Sequence, residues 1–210
     1  MKAETRREDK TPPAGRPRDR SIDDAILRAT AELLVSIGYS ALTLAAVAER
    51  AGTTKTALYR RWSSKAQLVH EAAFPAPVTS LIPESGDLAT DIRALVAGSR
   101  SIFTNPVTRA ALPGLLAEVG ADPVLNELVM QRFQNGVFAA MRTRLDQAIL
   151  RGEVRSGIDP DRLLEIIGGS TILHLLIRPD EAPDDDWVDQ TAAIVLHGIA
   201  GGPDSATSGG

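Results

Sequence analysis

Residues 43–62 read "TLAAVAERAGTTKTALYRRW", and their punctuation decides the fold. Thr43 is placed to cap a helix over Leu44–Ala51, which Gly52 ends after eight residues, since a residue of positive φ suits glycine. Thr53 or Thr54 then caps a second helix running to about Trp62. Two short helices joined by a glycine turn make a helix-turn-helix. Ala48 sits where the helices cross, and Val47, Ala51 and Leu58 can share one small core. With Lys55 at zero on a helical wheel, Lys55, Tyr59, Thr56 and Arg60 span about 0–140°, one polar face. Ala57, Leu58 and Trp62 fall behind, with Arg61 near the edge. Residues 53–65 hold no carboxylate, whereas a merely solvated face usually mixes Glu with Lys. A cationic, hydroxyl-bearing helix face of this size suits the major groove of DNA.

Outward from this stretch the chain reads as all helix. Ser21 with Asp24 resembles a capping box, and Ile22, Ile26, Ala29, Leu33 and Ile37 recur at helical spacing up to a stop at Gly38. Ser64 and Gln67 cap a fourth helix ending near Phe74. Pro75, Pro77, Pro83 and Gly86 break the chain. Further helices are expected at about 88–104, 107–120, one long one near 123–151, 159–177 and 184–200. Asp122-Pro123 and Asp159-Pro160 read as N-caps followed by proline at N1. Asp184, Asp185 and Asp186 suit the positive end of the last helix better than a metal. The expected organisation is a basic disordered arm (1–20), a helix-turn-helix domain (21–74), a linker (75–87), a helical domain (88–200) and a disordered tail (201–210).

Composition narrows the partners. The 210 residues carry no cysteine, so neither disulfides nor thiolate metal sites are possible. No signal-like core and no run of eighteen apolar residues is seen, so a cytoplasmic chain is expected. The net charge of −4 conceals an asymmetry. Residues 1–71 carry 13 Lys and Arg against 9 Asp and Glu, and the rest carry 10 against 18. A basic head on an acidic body implies a polyanion partner for the head alone. Within the arm, "GRPRDR" (15–20) presents Arg16 and Arg18 in an extended segment that can enter a minor groove or simply attract phosphate.

The segment "LTLAAVAERAGTTKTALYRRWSSKAQLV" (42–69), with the helix before it, resembles the DNA-binding domain of tetracycline-repressor-like (TetR-family) regulators over about residues 20–74. The resemblance implies that Thr43 caps its helix beside a phosphate, and that Lys55, Thr56 and Tyr59 face the major groove, with Thr54 at the helix start. It further implies that Arg60 and Arg61 meet bases or backbone and that Lys65 holds a phosphate at the start of the fourth helix. Ala57 stands where many relatives carry a hydroxyl, and Arg60 and Arg61 replace the commoner His or other aromatic.

"LLAEVGADPVLNELVMQRF", "AILRGEVRSGIDPDRLLEIIGG" and "DDDWVDQTAAIVLHGIA" resemble an actinobacterial-type subgroup of these regulators. The implication is a helical domain that binds an unknown small-molecule effector and pairs two subunits through its last two helices. Ile166, Ile167, Gly169, Ser170, Leu173 and Ile177 form a small-and-aliphatic surface that serves either a dimer interface or an ordinary core. A charge at Ile167 is expected to yield monomers. Phe103, Met130, Phe133, Phe138 and Met141 either line an effector pocket or fill the core, and His174 is either a buried hydrogen-bonded group or a ligand contact. The expected function is a ligand-responsive repressor that binds a palindromic operator as a homodimer and needs no cofactor.

Rival classes fare worse. "HEAAF" (70–74) starts like a zinc-protease helix but has Phe74 where the second His belongs, and "GGST" (168–171) lacks the lysine of a phosphate loop. No catalytic or metal residue is therefore assigned. A module that binds membranes or DNA without sequence choice remains the alternative, though a membrane helix needs a wide apolar stripe that this one spends internally.

Overall fold

A computed structural model describes residues 20–75 and 85–199. The elements, in order, are α1 (Arg20–Ala41), α2 (Leu44–Arg50), α3 (Lys55–Tyr59), α4 (Lys65–Ala73), α5 (Leu88–Thr104) and α6 (Pro106–Ala121). They continue as α7 (Pro123–Phe133), a π turn (Gln134–Phe138), α8 (Ala139–Leu150), α9 (Pro160–Ile177) and α10 (Asp185–Ile199). The all-helical expectation holds, with no strand element among the described residues. The expected arm with Arg16 and Arg18, most of the linker and the tail lie outside them.

The caps read from sequence do their work. Thr43 Oγ1 accepts from Ala46 N and Thr54 Oγ1 from Ala57 N, each at 3.2 Å. Gly52 turns the chain at φ 64°, a value that L side chains resist. Ser64 Oγ accepts from Gln67 N at 3.1 Å, and Gln67 Oε1 reaches back to Ser63 N at 2.6 Å. Asp122 and Asp159 accept from the backbone N–H groups of Val124 and Asp161, while Asp184 caps α10 through Trp187 N at 2.8 Å.

Three boundaries depart from the sequence reading. Ser21 already lies inside α1 rather than before it. In α1 the apolar stripe runs through Ile26, Ala29 and Leu34 while Ile37 is 46% exposed, and the helix does not stop at Gly38 but kinks there (φ 75°) and runs on to Ala41. The expected long helix near 123–151 is interrupted at Gly136, whose φ −104° and ψ −107° leave the helical region. Without a side chain, Gly136 can take that conformation and open a π turn, a feature that recurs at functional sites.

Two apolar cores form. The first joins Ile26 and Leu34 of α1, Val47, Leu58, Trp62 and Leu68 of the head to Ala111 and Leu115 of α6 and Leu125 and Val129 of α7. The second joins Ile92 and Val96 of α5, Met141 and Leu145 of α8, Leu163 and Ile167 of α9, and Val188 and Val195 of α10. The first core therefore runs from the helix-turn-helix into the second half of the chain. Two contacts seat that junction. Gly114 of α6 admits the Tyr39 ring so closely that a Cβ there would lie 2.1 Å from Tyr39 Cδ1. Thr108 Oγ1, fully buried, donates to Ala73 O at 3.1 Å. His70 of α4 is also buried here, with ring centroids 5.1 Å from Phe74 and 6.1 Å from Phe133. Burial, then the positive charge of Arg132, pushes its pKa down to about 4.

Gly114→Ala is expected to lower stability by about 1–3 kcal/mol, since a ring and the backbones that carry it must give way. Gly120→Ala, on the same helix with open space at its Cβ, should instead be neutral or stabilising by up to about 1 kcal/mol. Urea unfolding of both variants checks the contrast. His70 adds a pH dependence. Its folded pKa lies below the ordinary 6.5, so the unfolded chain takes the proton first. Stability should then fall as pH drops from 6.5 towards 4, by up to about 1.4 kcal/mol per unit. His70→Gln should flatten that part of the urea-midpoint profile.

Candidate nucleic-acid interface and internal cavity

α3 is five residues long, and its orientation follows from what it hides. Leu58 is 1% exposed and Trp62, just beyond the helix, 4%. Trp62 Nε1 donates to Glu71 Oε2 at 2.7 Å, which satisfies the indole and clips the end of the turn to α4. With this side buried, Lys55, Thr56, Tyr59 and Arg60 are left facing solvent, and Tyr59 is 59% exposed. Lys55 and Arg60 make no ion pair among the described residues. Thr43 and Thr54 are exposed as well. Each uses a hydroxyl lone pair on its own cap and retains its hydroxyl proton for an outside acceptor such as a phosphate.

Two of the expected cations have partners within the domain. Arg61 forms an ion pair with Asp23 of α1 and donates through Nη1 to Ala57 O at 3.0 Å, with only 14% of its side chain exposed. Its wheel position at the edge lets the guanidinium reach α1, so it ties α3 to the domain. Lys65 donates from Nζ to Tyr39 O at 2.7 Å and lies 4.1 Å from the centroid of the Tyr39 ring. The kinked end of α1 offers this half-buried ammonium both a carbonyl and a ring face. Arg50, a cation not singled out from the sequence, pairs with Glu32 at 2.6 Å. Asp23 and Glu32 are thus neutralised locally, and the open charge on this side of α3 is that of Lys55 and Arg60.

A half-open cavity of about 410 Å³ lies between α5, α7, the π turn and α9. Phe103, Met130, Phe133 and Phe138 line it. The Phe133 and Phe138 rings lie 6.5 Å apart across the π turn. Two other expected residues are elsewhere. Met141 is 1% exposed in the second core and borders a separate cleft of about 240 Å³ beside Asp91 and Arg144. His174 is half-buried outside the cavity, with Nε2 3.1 Å from Glu181 O and its ring edge-on to Trp187. Sequence reasoning missed Phe74, Ser99, Leu164 and Ile167 in the cavity wall. Only the pairing of helices brings those residues to one place.

α9 divides differently from the expected grouping. Ile167 is 2% exposed, belongs to the second core and lines the cavity, so it cannot also face a second subunit. Ser170 is half-buried and donates to Ile167 O at 2.9 Å. Ile166, Gly169, Leu173 and Ile177 do face outward, joined by Leu176 at 73% and Ile194 of α10 at 74% exposure. The spacing of 166, 169, 173, 176 and 177 is one helical stripe, and 167 lies about 100° away from 166.

Comparison with known proteins agrees with this architecture. Residues 26–72 match the bacterial regulatory proteins of the tetR family, and residues 82–195 match the tetracyclin repressor-like C-terminal domain. The chain belongs to the TetR family of transcriptional regulators. It is 33% identical to an uncharacterised helix-turn-helix regulator of Mycobacterium tuberculosis, over 83% of this chain and 88% of the relative. It is 30% identical to the regulator YdeS of Bacillus subtilis, over 88% of this chain and 93% of that protein. Among solved structures, the TetR family transcription regulator SCO0332 superposes with a TM-score of 0.65 at 30% identity, covering 86% of this chain and 99% of that one. No described helix is long and apolar enough to cross a membrane.

The two arginines should separate on substitution. Arg60→Ala is expected to weaken duplex binding without a change in stability. Arg61→Ala should cost about 1–3 kcal/mol of stability through the lost charged hydrogen bonds. Thermal unfolding beside fluorescence-anisotropy titration of a duplex reads both. Equal stability of the two variants would return Arg61 to the binding face.

Proposed function

We propose that the protein is a ligand-responsive repressor that acts in the cytoplasm as a homodimer on a palindromic operator. The observation that carries this reading is the carboxylate-free front of α3. It stands exposed on a head whose core continues through α6 and α7 to the cavity. Lys55, Thr56, Tyr59 and Arg60 would read base edges in the major groove, while the hydroxyls of Thr43 and Thr54 would hold adjacent phosphates.

One helix of this length reads only a few base pairs, so a single head cannot single out a site. A twofold pair of heads, set one helical turn of DNA or a multiple of it apart, reads a palindrome. The exposed stripe of Ile166, Leu173, Leu176 and Ile177 on α9, with Ile194 on α10, supports pairing through these helices. An effector in the cavity would release the DNA by favouring a subunit arrangement with another head spacing. Each tenfold loss of DNA affinity requires about 1.4 kcal/mol of preference for that arrangement. We assign no catalytic role to any residue.

Sequencing the genomic fragments retained by the purified protein would yield the operator, and salt titration against a random duplex then tests specificity. The expected preference is about a thousandfold or more at physiological salt. Equal affinity for both duplexes would instead support a nonspecific DNA-binding module. Leu173→Asp should give monomers by analytical ultracentrifugation with sharply weakened operator binding, because it places a charge on the proposed seam without touching either core. A Leu173→Asp protein that stays dimeric would remove α9 from the interface.

A further inference from the structure

The chemistry of the cavity wall narrows what it can hold. Phe74, Phe103, Phe133 and Phe138 form a chain of rings 6.2–6.5 Å apart, inclined 65–74° to one another. A further flat ring can join such an array with the same edge-to-face geometry. Among the described residues no Lys, Arg or His lines the cavity. Its two carboxylates are already engaged. Asp161 takes Arg142 through both oxygens at 3.0 and 2.5 Å, and Glu165 takes Arg162 at 2.6 Å. An anionic ligand would find no counter-charge and would meet two carboxylates. A cation would compete with the arginines that those carboxylates already hold. The lining therefore favours an uncharged molecule.

One hydroxyl in the wall has its proton direction settled by its neighbours. Thr171, fully buried, lies 2.9 Å from Ile167 O, a carbonyl that can only accept, so Thr171 spends its single proton there. Ser99 Oγ lies 2.9 Å from Thr171 Oγ1. Thr171 has nothing left to donate, so Ser99 must be the donor in that pair. Ser99 lines the cavity, and with its proton directed at Thr171 it can offer a ligand only lone pairs.

We propose that the effector is a neutral hydroxyaromatic molecule, a flat ring system with a phenol-type hydroxyl that donates to Ser99 Oγ. This rests on the cavity being the effector site. The rings supply the apolar contact, the absence of a lining cation turns away carboxylates, and the acceptor at Ser99 favours a hydroxyl over its methyl ether.

Calorimetric titration of the full-length protein at pH 7 with 2-naphthol, 2-methoxynaphthalene and 2-naphthoate tests this. A phenol-type hydroxyl keeps its proton at that pH. 2-Naphthol should bind about fivefold more tightly than the ether, the worth of one hydrogen bond. It should bind at least about tenfold more tightly than the carboxylate, which must enter unpaired. Ser99→Ala should remove the preference over the ether, and it leaves Thr171 bonded to Ile167. Gly168→Leu should abolish binding of all three probes with the fold retained, because Gly168 lines the cavity and a Cβ there meets open space. If the ether or the carboxylate matches 2-naphthol, or the preference survives Ser99→Ala, the ligand class is wrong while the cavity stands. No binding of any probe to the wild type overturns the class too. If 2-naphthol binds Gly168→Leu as it binds the wild type, the site lies elsewhere and both readings fall.

Discussion

The rest of the structure depends on one burial. Leu58 and Trp62 must leave water, and no element as short as α3 can hide them alone. Isolated helices of five and seven residues are far below the length that stands in water, so α2 and α3 exist because the first core accepts their apolar backs. Once Leu58 packs under α2 and the Trp62 indole bonds Glu71, the rotation of α3 about its axis is settled. The outward placement of Lys55, Thr56, Tyr59 and Arg60 is a consequence of that burial. The Arg61–Asp23 ion pair reinforces the same orientation from the side.

The same core explains how a head and a cavity can belong to one mechanical unit. Ala111, Leu115, Leu125 and Val129 come from α6 and α7, yet they pack with Leu34 and Val47. Phe74 ends α4 and also borders the cavity, and Arg132 of α7 donates to Phe74 O at 2.5 Å. A molecule among these rings would contact Phe74, at the end of α4, the helix that follows α3. Packed cores shift between discrete arrangements rather than deform continuously. Around Tyr39, Gly114 and Thr108 little slack exists to absorb a displacement, so movement of α6 must be felt by α1 and α4.

Local patterns carried much of the fold. Ser, Thr and Asp caps mark a helix by hydrogen-bonding its first free N–H groups, and that interaction is visible within four residues of sequence. Hence Thr43, Ser64, Asp122 and Asp159 were legible, and the cap of α3 was narrowed to Thr53 or Thr54. The polar front of α3 was legible too, because a wheel needs only the spacing of residues. What holds Arg61 and Lys65 was not legible, for the opposite reason. Their partners, Asp23 and Tyr39, lie 38 and 26 positions away, and a cation on a surface arc looks the same whether or not a distant group captures it. Residue type also carried Ile166 and Ile167 together into one small-and-aliphatic surface, although one faces solvent and the other the second core.

From the order of its residues alone, this chain declares an all-helical fold, a helix-turn-helix with a cationic front, and an acidic helical second half, since these rest on caps, spacing and charge within single helices. Only the tertiary structure decides which cations stay free, which face of α9 is left open, and which rings enclose the cavity. Those outcomes depend on contacts between helices far apart in the chain, where the partner of a side chain is selected by packing and not by its neighbours in sequence.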